Sequence, residues 1–414
     1  MRSAAFRGAL RDVDASTPAV VLGVHDHNGL SQIRTLGRLG VPVYITHTPG
    51  RTPATYSRFI HGRFEWEIDA TAPHETVAFL LEVVGPAVGR RAVLFSSEDG
   101  SSIVVAEQGA ALREWFITPD AEPSLNRALV DKQRLHELCR AAGVPSPKTV
   151  APSSQAEVEA YARDAAYPVV VKAKDGWRLR GLSDVVTVIA RDREELLEAH
   201  GGMTVDGEPN VVLQDYIPGG PSSVWIFNGY ADRAGNVLAG RVGNKLREYP
   251  VDRGLTTLGV NRPNEAVLAA VTAFVRKVGY RGVIDVDIRL DERDGRYKPI
   301  DFNPRPGATF RLFADDAGID VVRAAYLDLT GQRVPLGAQR VGRRWMVENW
   351  DLAAGRRYLA AGRLTLRGYL RSLRGVQEGA WSAHDDPLPF GMMLVAFGRA
   401  LLPFVGQRLR RRSG

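Results

Sequence analysis

GVIDVDIRLDERDGRYKPIDFNPR, residues 282–305, is the stretch on which the fold turns. From Val283 to Leu290 apolar and polar residues alternate, the period-two pattern of a strand, and Asp291 to Gly295 supplies turn residues before a second strand, Tyr297 to Phe302. The spacing predicts a β-hairpin. Successive side chains of a strand point to opposite faces, so Asp285 and Asp287 share one face and Ile284, Val286 and Ile288 the other. A turn near Asp294-Gly295 sets Asp287 opposite Asp301, with Asn303 on the same face two residues on. Two carboxylates and an amide oxygen then converge. Hard oxygen donors of this kind suit Mg²⁺, with Mn²⁺ also compatible, an ion that bridges nucleotide phosphates more often than it sits in a closed protein cage. Arg305 follows closely enough to offer its guanidinium fork to a transferring phosphoryl group or a carboxylate. The plainer alternative is a solvated strand face with surface ion pairs; acids, an amide and an arginine set against alternating apolar partners favour a functional site.

Working outward, Ala266 to Val278 has helical character, and upstream of it Val211 to Gln214 reads as a strand running into Tyr216-Ile217-Pro218-Gly219-Gly220, a hinge-like turn. Pro168 to Ala173 and Val185 to Ile189 read as further strands, with a helix near Arg193 to Ala199. The helical stretch Asp131 to Ala142 ends at Gly143, and Val144-Pro145-Ser146-Pro147 forces an extended connector where a new domain begins. Nearer the N-terminus the apolar run Ala19 to Val24 precedes Leu30, Ile33, Leu36 and Leu39 at helical spacing and then the strand-like Val41 to Ile45. With the second run Ala92 to Phe95, this predicts a small open parallel sheet up to about residue 120. The turn VLGVHDHNG lacks the G-x-G-x-x-G spacing, which excludes a dinucleotide fingerprint. His25, His27, Glu98 and Asp99 fall at strand ends as candidates for substrate contact, and none is supported as a general base.

Composition narrows the class. A chain of 414 residues that is 44% apolar buries two or three domain cores. One cysteine, Cys139, excludes internal disulfides and cysteine-cluster metal sites and fits a reducing, cytoplasmic compartment. The opening MRSAAFRGALRDVDAS has no apolar core and reads as a frayed leader. The net charge of +7 suits anionic ligands, but part of it crowds the terminus at Arg408, Arg410, Arg411 and Arg412. No basic stripe interleaved with aromatics crosses the centre, so nucleic acid is not an expected partner. Beyond residue 335 the chain reads as helical, with Trp345, Trp350 and Trp381 and then an apolar stretch from Leu388 to Val405. Arg399, Pro403 and two glycines argue against a spanning helix there. Three roles remain open for this stretch: packing on the body, packing on a second subunit as a homodimer, or peripheral contact with the inner face of an anionic membrane.

The hairpin closing on Asn303-Pro304-Arg305 resembles the metal-binding hairpin and terminal N-P-R motif of the ATP-grasp ligases. Other segments match in that family's order. Asp131-Lys132 followed by Gly143 to Pro147 looks like the entry to its central domain, Tyr167 to Lys172 like its phosphate-lysine strand, and Val212 to Gly219 like the hinge that receives adenine. Lys245-x-Arg247-x-Tyr249-Pro250, with Gly254 and Thr256-Thr257, resembles the carboxylate-amine ligase branch near the D-aspartate ligases.

The resemblance implies a fold of α/β and α+β parts. An N-terminal open parallel-sheet domain covers 18–120 and a two-lobed ATP-grasp domain 121–335, with a small lobe about 145–217 and a large lobe about 218–335. A helical extension covers 336–414. It further implies ATP held by Lys132, Lys172, Lys174, Lys245, Gln214, Asp215, Tyr216 and Ile217, metal at Asp287, Asp301 and Asn303, and catalytic Arg305 and Arg247. The implied reaction activates a carboxylate as an acyl phosphate, which an amine attacks; an amino acid or peptide is the implied substrate. A biotin-carboxylase-like carboxylase and a nucleotide-binding protein without turnover are the alternatives. The sequence departs from the family at Asp301, where glutamate is usual, and in the loop Lys174 to Gly181, which holds fewer small residues and carries Trp177. That loop and the hinge Ile217 to Gly220 are the segments expected to close over the reaction.

Overall fold

Strand β1 (Ala19–Leu22) is buried along its whole length, as a strand covered on both faces must be, and its four residues are all apolar. It is the centre of a five-stranded parallel sheet of order β3-β2-β1-β4-β5, with β2 (Val43–His47), β3 (Ile60–Glu65), β4 (Ala92–Ser96) and β5 (Phe116–Ile117). Helix α1 (His27–Gly37) begins at Asp26, whose carboxylate accepts from the Asn28 N–H at 2.8 Å. It lays Leu30, Ile33 and Leu36 against Val21, Val43 and Val93. Helix α2 (Asp99–Glu107) leaves the end of β4, so Ser96 to Asp99 and His25 to Asn28 share one edge of this sheet. In open parallel sheets that edge is where ligands bind.

Helix α3 (Lys132–Ala141) starts on a second side-chain cap, Asp131, and is followed by Gly143 at φ +66°, a conformation that glycine adopts without strain. It leads into a four-stranded antiparallel sheet of order β6-β9-β7-β8, made of β6 (Thr149–Val150), β7 (Val169–Ala173), β8 (Thr187–Ala190) and β9 (Val211–Asp215). Helices α4 (Gln155–Asp164) and α5 (Arg193–Gly201) bury Val158, Ala162 and Leu196 against Val169, Val171, Val211 and Leu213. The remaining sheet has seven strands in the order β14-β13-β10-β11-β12-β15-β16. These are β10 (Val224–Ala231), β11 (Val237–Tyr249), β12 (Leu255–Asn261), β13 (Gly282–Asp291), β14 (Arg296–Asn303), β15 (Arg344–Met346) and β16 (Val376–Gly379). Helix α6 (Glu265–Val278) covers one face, packing Val267, Val271 and Phe274 on Ile284, Val286, Ile288 and Phe302.

The β13–β14 register pairs Asp287 with Asp301 and Asp285 with Asn303, the pairing the sequence predicts. Strands β10 to β12, the middle of this sheet, were not anticipated. β10 is buried on both faces and carries no alternation, and β11 is broken by two register shifts around Arg247.

Beyond β14 the chain is largely helical, with α7 (Val321–Leu329), α8 (Glu348–Ala360), α9 (Leu366–Leu373) and α10 (Leu388–Arg410), yet β15 and β16 also extend the large sheet. Trp345, Ala380 and Trp381 share an apolar cluster with Val21 and Ile33, so this segment is part of the core. The computed structural model describes residues 10, 12–174, 179, 185–252 and 254–410, with 400–410 as backbone only. Most of the N-terminal leader (1–9 and 11), most of the Lys174 to Gly181 loop with Trp177, and the side chains of Arg408, Arg410, Arg411 and Arg412 lie outside the described residues. Among those described, no helix is long and apolar enough to cross a membrane.

Candidate active site

A cleft of about 820 Å³ separates the four-stranded sheet from the seven-stranded one. Strand β7 brings Lys172 to it, the turn after β7 Lys174, the start of α3 Lys132, and β11 Lys245; β13 and β14 bring Asp287 and Asp301. Gln214, Asp215, Tyr216 and Ile217, at the end of β9, form one end of the cleft beside Val170, Val186, Ile189 and Val212, a wall apolar enough to take a planar base. The Gln214 amide is fixed by donating to Thr149 Oγ1 at 3.0 Å, and Arg289 lies 5.9 Å from the Tyr216 ring centre.

The charges are matched in pairs. Lys132 donates to Asp301, and Lys245 Nζ donates to Asp287 Oδ2 at 2.9 Å. Burial would raise the Asp301 carboxyl, but Lys132 and Lys172 outweigh it and hold it below the usual range. Lys172 makes no hydrogen bond or ion pair among the described residues. Burial pushes its ammonium down to about 8, Lys132 adds to the shift, and Asp301 opposes it. Arg305 donates from Nε to Asp99 Oδ1 at 2.8 Å and from Nη2 to Asn303 Oδ1 at 3.2 Å. Asn303 in turn donates to Asp285 Oδ2 at 3.0 Å, while Asn228 donates to the other oxygen at 2.9 Å. Asp285 is pushed up to about 7, first by burial and then by Asp287. Gly307 lies so close that a Cβ there would come within 2.2 Å of this carboxylate, so only glycine fits.

Among the described residues no three His, Cys, Asp or Glu side chains are arranged to hold a metal on their own. Two facing carboxylates, each already balanced by a cation, and an amide oxygen are a donor set that fits Mg²⁺, which takes one or two carboxylates and fills its shell with water and phosphate.

Three predicted residues do not line the cleft: Arg305 and Asn303 stand behind Asp99, which does, and Arg247 is turned away. Its guanidinium is 4% exposed and forks onto Asp351, both bonds 2.8 Å, with Nη1 on Ser372 Oγ at 2.5 Å and the Tyr369 ring 4.8 Å away. Strict alternation would set it beside Lys245. The register shifts on either side of Arg247 change the phase, so Glu248 faces the cleft instead. Sequence reasoning missed Glu248 for that reason, and it missed Trp350, which reaches the cleft from α8 over a long separation. Of the strand-end candidates, Asp99 lines the cleft. His27 is buried against Trp345, Trp350 and Trp381, its ring 6.0, 5.1 and 5.7 Å from theirs.

No family model matches this chain. A D-aspartate ligase of Enterococcus faecium is 26% identical over 243 residues, 56% of this chain and 58% of that protein, so the match leaves a large part of the relative uncovered. Among solved structures, the β,γ-ATP complex of biotin carboxylase from Campylobacter jejuni superposes with a TM-score of 0.60 at 14% identity, covering 80% of this chain and 75% of that one. An L-amino acid ligase from Bacillus licheniformis superposes with a TM-score of 0.56 at 18% identity, covering 78% and 76%. At these identities the solved structures establish a shared fold.

Proposed function

We propose that this chain, which belongs by fold to the ATP-grasp superfamily, is an ATP-dependent ligase. It would join a carboxylate to an amine through an acyl phosphate and release ADP and phosphate. The observation that carries the reading is the cleft itself, where four lysines, two facing acids and an apolar base-sized wall meet beside Arg305. The Enterococcus relative makes D-aspartate the first carboxylate to try.

In this reading Gln214 to Ile217 seat the adenine, and Lys132, Lys172, Lys174 and Lys245 surround the phosphates, where preorganised cations oppose the charge of a transferring phosphoryl group. Asp287, Asp301 and Asn303 would hold Mg²⁺, with Mn²⁺ as a substitute, and the ion would supply positive charge against that of the phosphates. Lys132 and Lys245 then give up Asp301 and Asp287 and turn to the nucleotide. Arg305, held by Asp99 and Asn303, presents its remaining donor edge to the substrate carboxylate or the transferred phosphoryl group. Conversion to an acyl phosphate replaces a poor leaving group with phosphate, so an amine held in line completes the amide.

The test is phosphate release from Mg²⁺-ATP with D-aspartate and a panel of amino acids, followed by mass spectrometry of the product. A new amide that requires both acid and amine supports the ligase; phosphate release that never depends on an amine sinks it. We also propose that α10, with Leu388, Leu394 and Val395 exposed, touches an anionic membrane surface. Failure of the chain to sediment with phosphatidylserine-containing vesicles would count against that contact.

A further inference from the structure

Among the cleft's charges one does not suit a nucleotide. Glu248 is 5% exposed and lines the cleft, yet its side chain makes no hydrogen bond or ion pair with any described residue. Most other acids around the cleft are answered, Asp301 by Lys132, Asp287 by Lys245, Asp99 by Arg305 and Asp252 by Arg363, while Asp131 caps α3 and Asp215 is exposed to water. A carboxylate kept largely out of water without a partner is unfavourable, and one that faces phosphates is repelled by them. Burial pushes the Glu248 carboxyl up, and Lys245 and Arg289 offset this only through space, so its hydrogen-bonding oxygens are left for a ligand bearing positive charge.

Its neighbourhood fits that ligand. The Arg247–Asp351 fork ties β11 to α8, and the residues next to each partner, Glu248 and Trp350, both face the cleft. Behind Trp350, at an interplanar angle of 89°, stands His27, with both ring nitrogens lacking a hydrogen-bond partner. This corner therefore runs from the nucleotide cleft toward the strand-end edge of the parallel sheet. A carboxylate and an indole that face one cleft are a combination that binds ammonium groups, by charge and by the ring's negative face.

We propose, resting on the ligase reading above, that the Glu248–Trp350 corner is the subsite for the amine substrate, which it receives as an ammonium group. From there the amine, after giving up a proton to solvent, attacks the acyl carbon. The C–N bond forms as the bond from acyl carbon to phosphate oxygen breaks, phosphate leaves with the electron pair, and the nitrogen's surplus proton passes to the departing phosphate.

The experiment compares wild type with Glu248→Gln and Trp350→Leu in phosphate release driven by D-aspartate and free amino acids. Hydroxylamine serves as the nucleophile without an ammonium group, and ATP affinity is measured by direct titration. Loss of a charge-assisted bond raises the KM for the amino acid about tenfold or more in Glu248→Gln. The change is smaller in Trp350→Leu, and neither the ATP affinity nor the KM for hydroxylamine moves. Weaker ATP binding in Glu248→Gln would overturn the proposal in favour of a carboxylate that holds the ribose hydroxyls. An unchanged amino-acid KM in a variant that melts and binds ATP like wild type would overturn it as well. If wild type releases no phosphate with any nucleophile, hydroxylamine included, the ligase reading itself falls and the subsite with it.

Discussion

The cleft and the C-terminal seam both join carboxylates to cations, but they do it with different residues. In the cleft the cations are lysines, Lys132 on Asp301 and Lys245 on Asp287, each a point contact from a flexible stem. Along the seam they are arginines. Arg34 holds Asp386, Arg38 forks onto Asp385, Arg247 forks onto Asp351, and Arg311 reaches both Glu378 and Asp320. A planar fork fixes direction as well as distance, and the remaining donors are used too: Arg34 donates to the Ala380, Trp381 and Asp386 carbonyls, and Arg247 to Ser372 Oγ. The seam is built to stay closed. A lysine that can swing from an acid to a phosphate suits the proposed ligase, whose ion pairs would exchange during each turnover.

The strongest break of this comparison is Asp386→Ala. Asp386 is 1% exposed and also accepts from Ser57 Oγ at 2.7 Å and the Arg58 N–H at 2.9 Å, so its loss strands the buried Arg34. Breaking a buried pair from one side costs about 3–5 kcal/mol. Chemical denaturation should show a loss of that size, and a loss below about 1 kcal/mol would put the seam in the class of surface pairs. The cleft counterpart is Asp301→Ala. Here ADP formation should fall on the order of 100-fold while the melting temperature holds, because Lys132 and Asp301 keep 21% and 35% of their side-chain surface open. Equal damage to stability and rate would mean that the cleft pair is a structural clamp as well.

The contrast was only half legible in the sequence. Asp287, Asp301 and Lys172 sit in segments of clear periodicity, and the Asp294-Gly295 turn sets Asp287 opposite Asp301, whereas Lys245 lies on β11, which carries no such pattern. The seam gave no such signal, because its partners lie far apart in the chain, as Arg34 and Asp386 or Arg247 and Asp351 do, and each reads alone as a surface charge. Arg247 shows the cost directly: the resemblance of its segment to the carboxylate-amine ligases implied chemistry, and two register shifts turned it into the seam. Bulges change the face a residue occupies without leaving a mark in hydropathy.

Lys172 sharpens the comparison through pH. Its folded value of about 8 lies below the ordinary 10.5, so the unfolded chain binds the proton first as pH falls. Stability is therefore highest with respect to this group above 10.5, declines as pH drops toward about 8 and is flat below that. Nucleotide binding has the opposite demand, since phosphate needs the charged ammonium. ATP affinity should weaken above pH 8, by up to about tenfold per unit, and Lys172→Met should weaken binding at pH 7 and flatten the profile. A wild-type affinity that does not change between pH 7 and 9 would remove Lys172 from the phosphate site.

The smallest effect is expected where the seam reaches solvent. Arg38 and Asp385 form the same two-bond fork, 2.8 and 2.7 Å, but with 26% and 29% of their side-chain surface exposed. The Arg38 hydrogen bonds hold the Asp385 carboxyl down to about 2, against an ordinary 3.8, so its contribution is present above that ordinary value and is lost as pH falls through the folded one. Water screens such a pair, and Arg38→Ala should cost no more than about 1 kcal/mol at pH 7. The variant and wild type should converge in stability below pH 2, where Asp385 is protonated in both. A cost at pH 7 as large as that of Asp386→Ala would show that the fork's geometry, and not its burial, is what locks the seam.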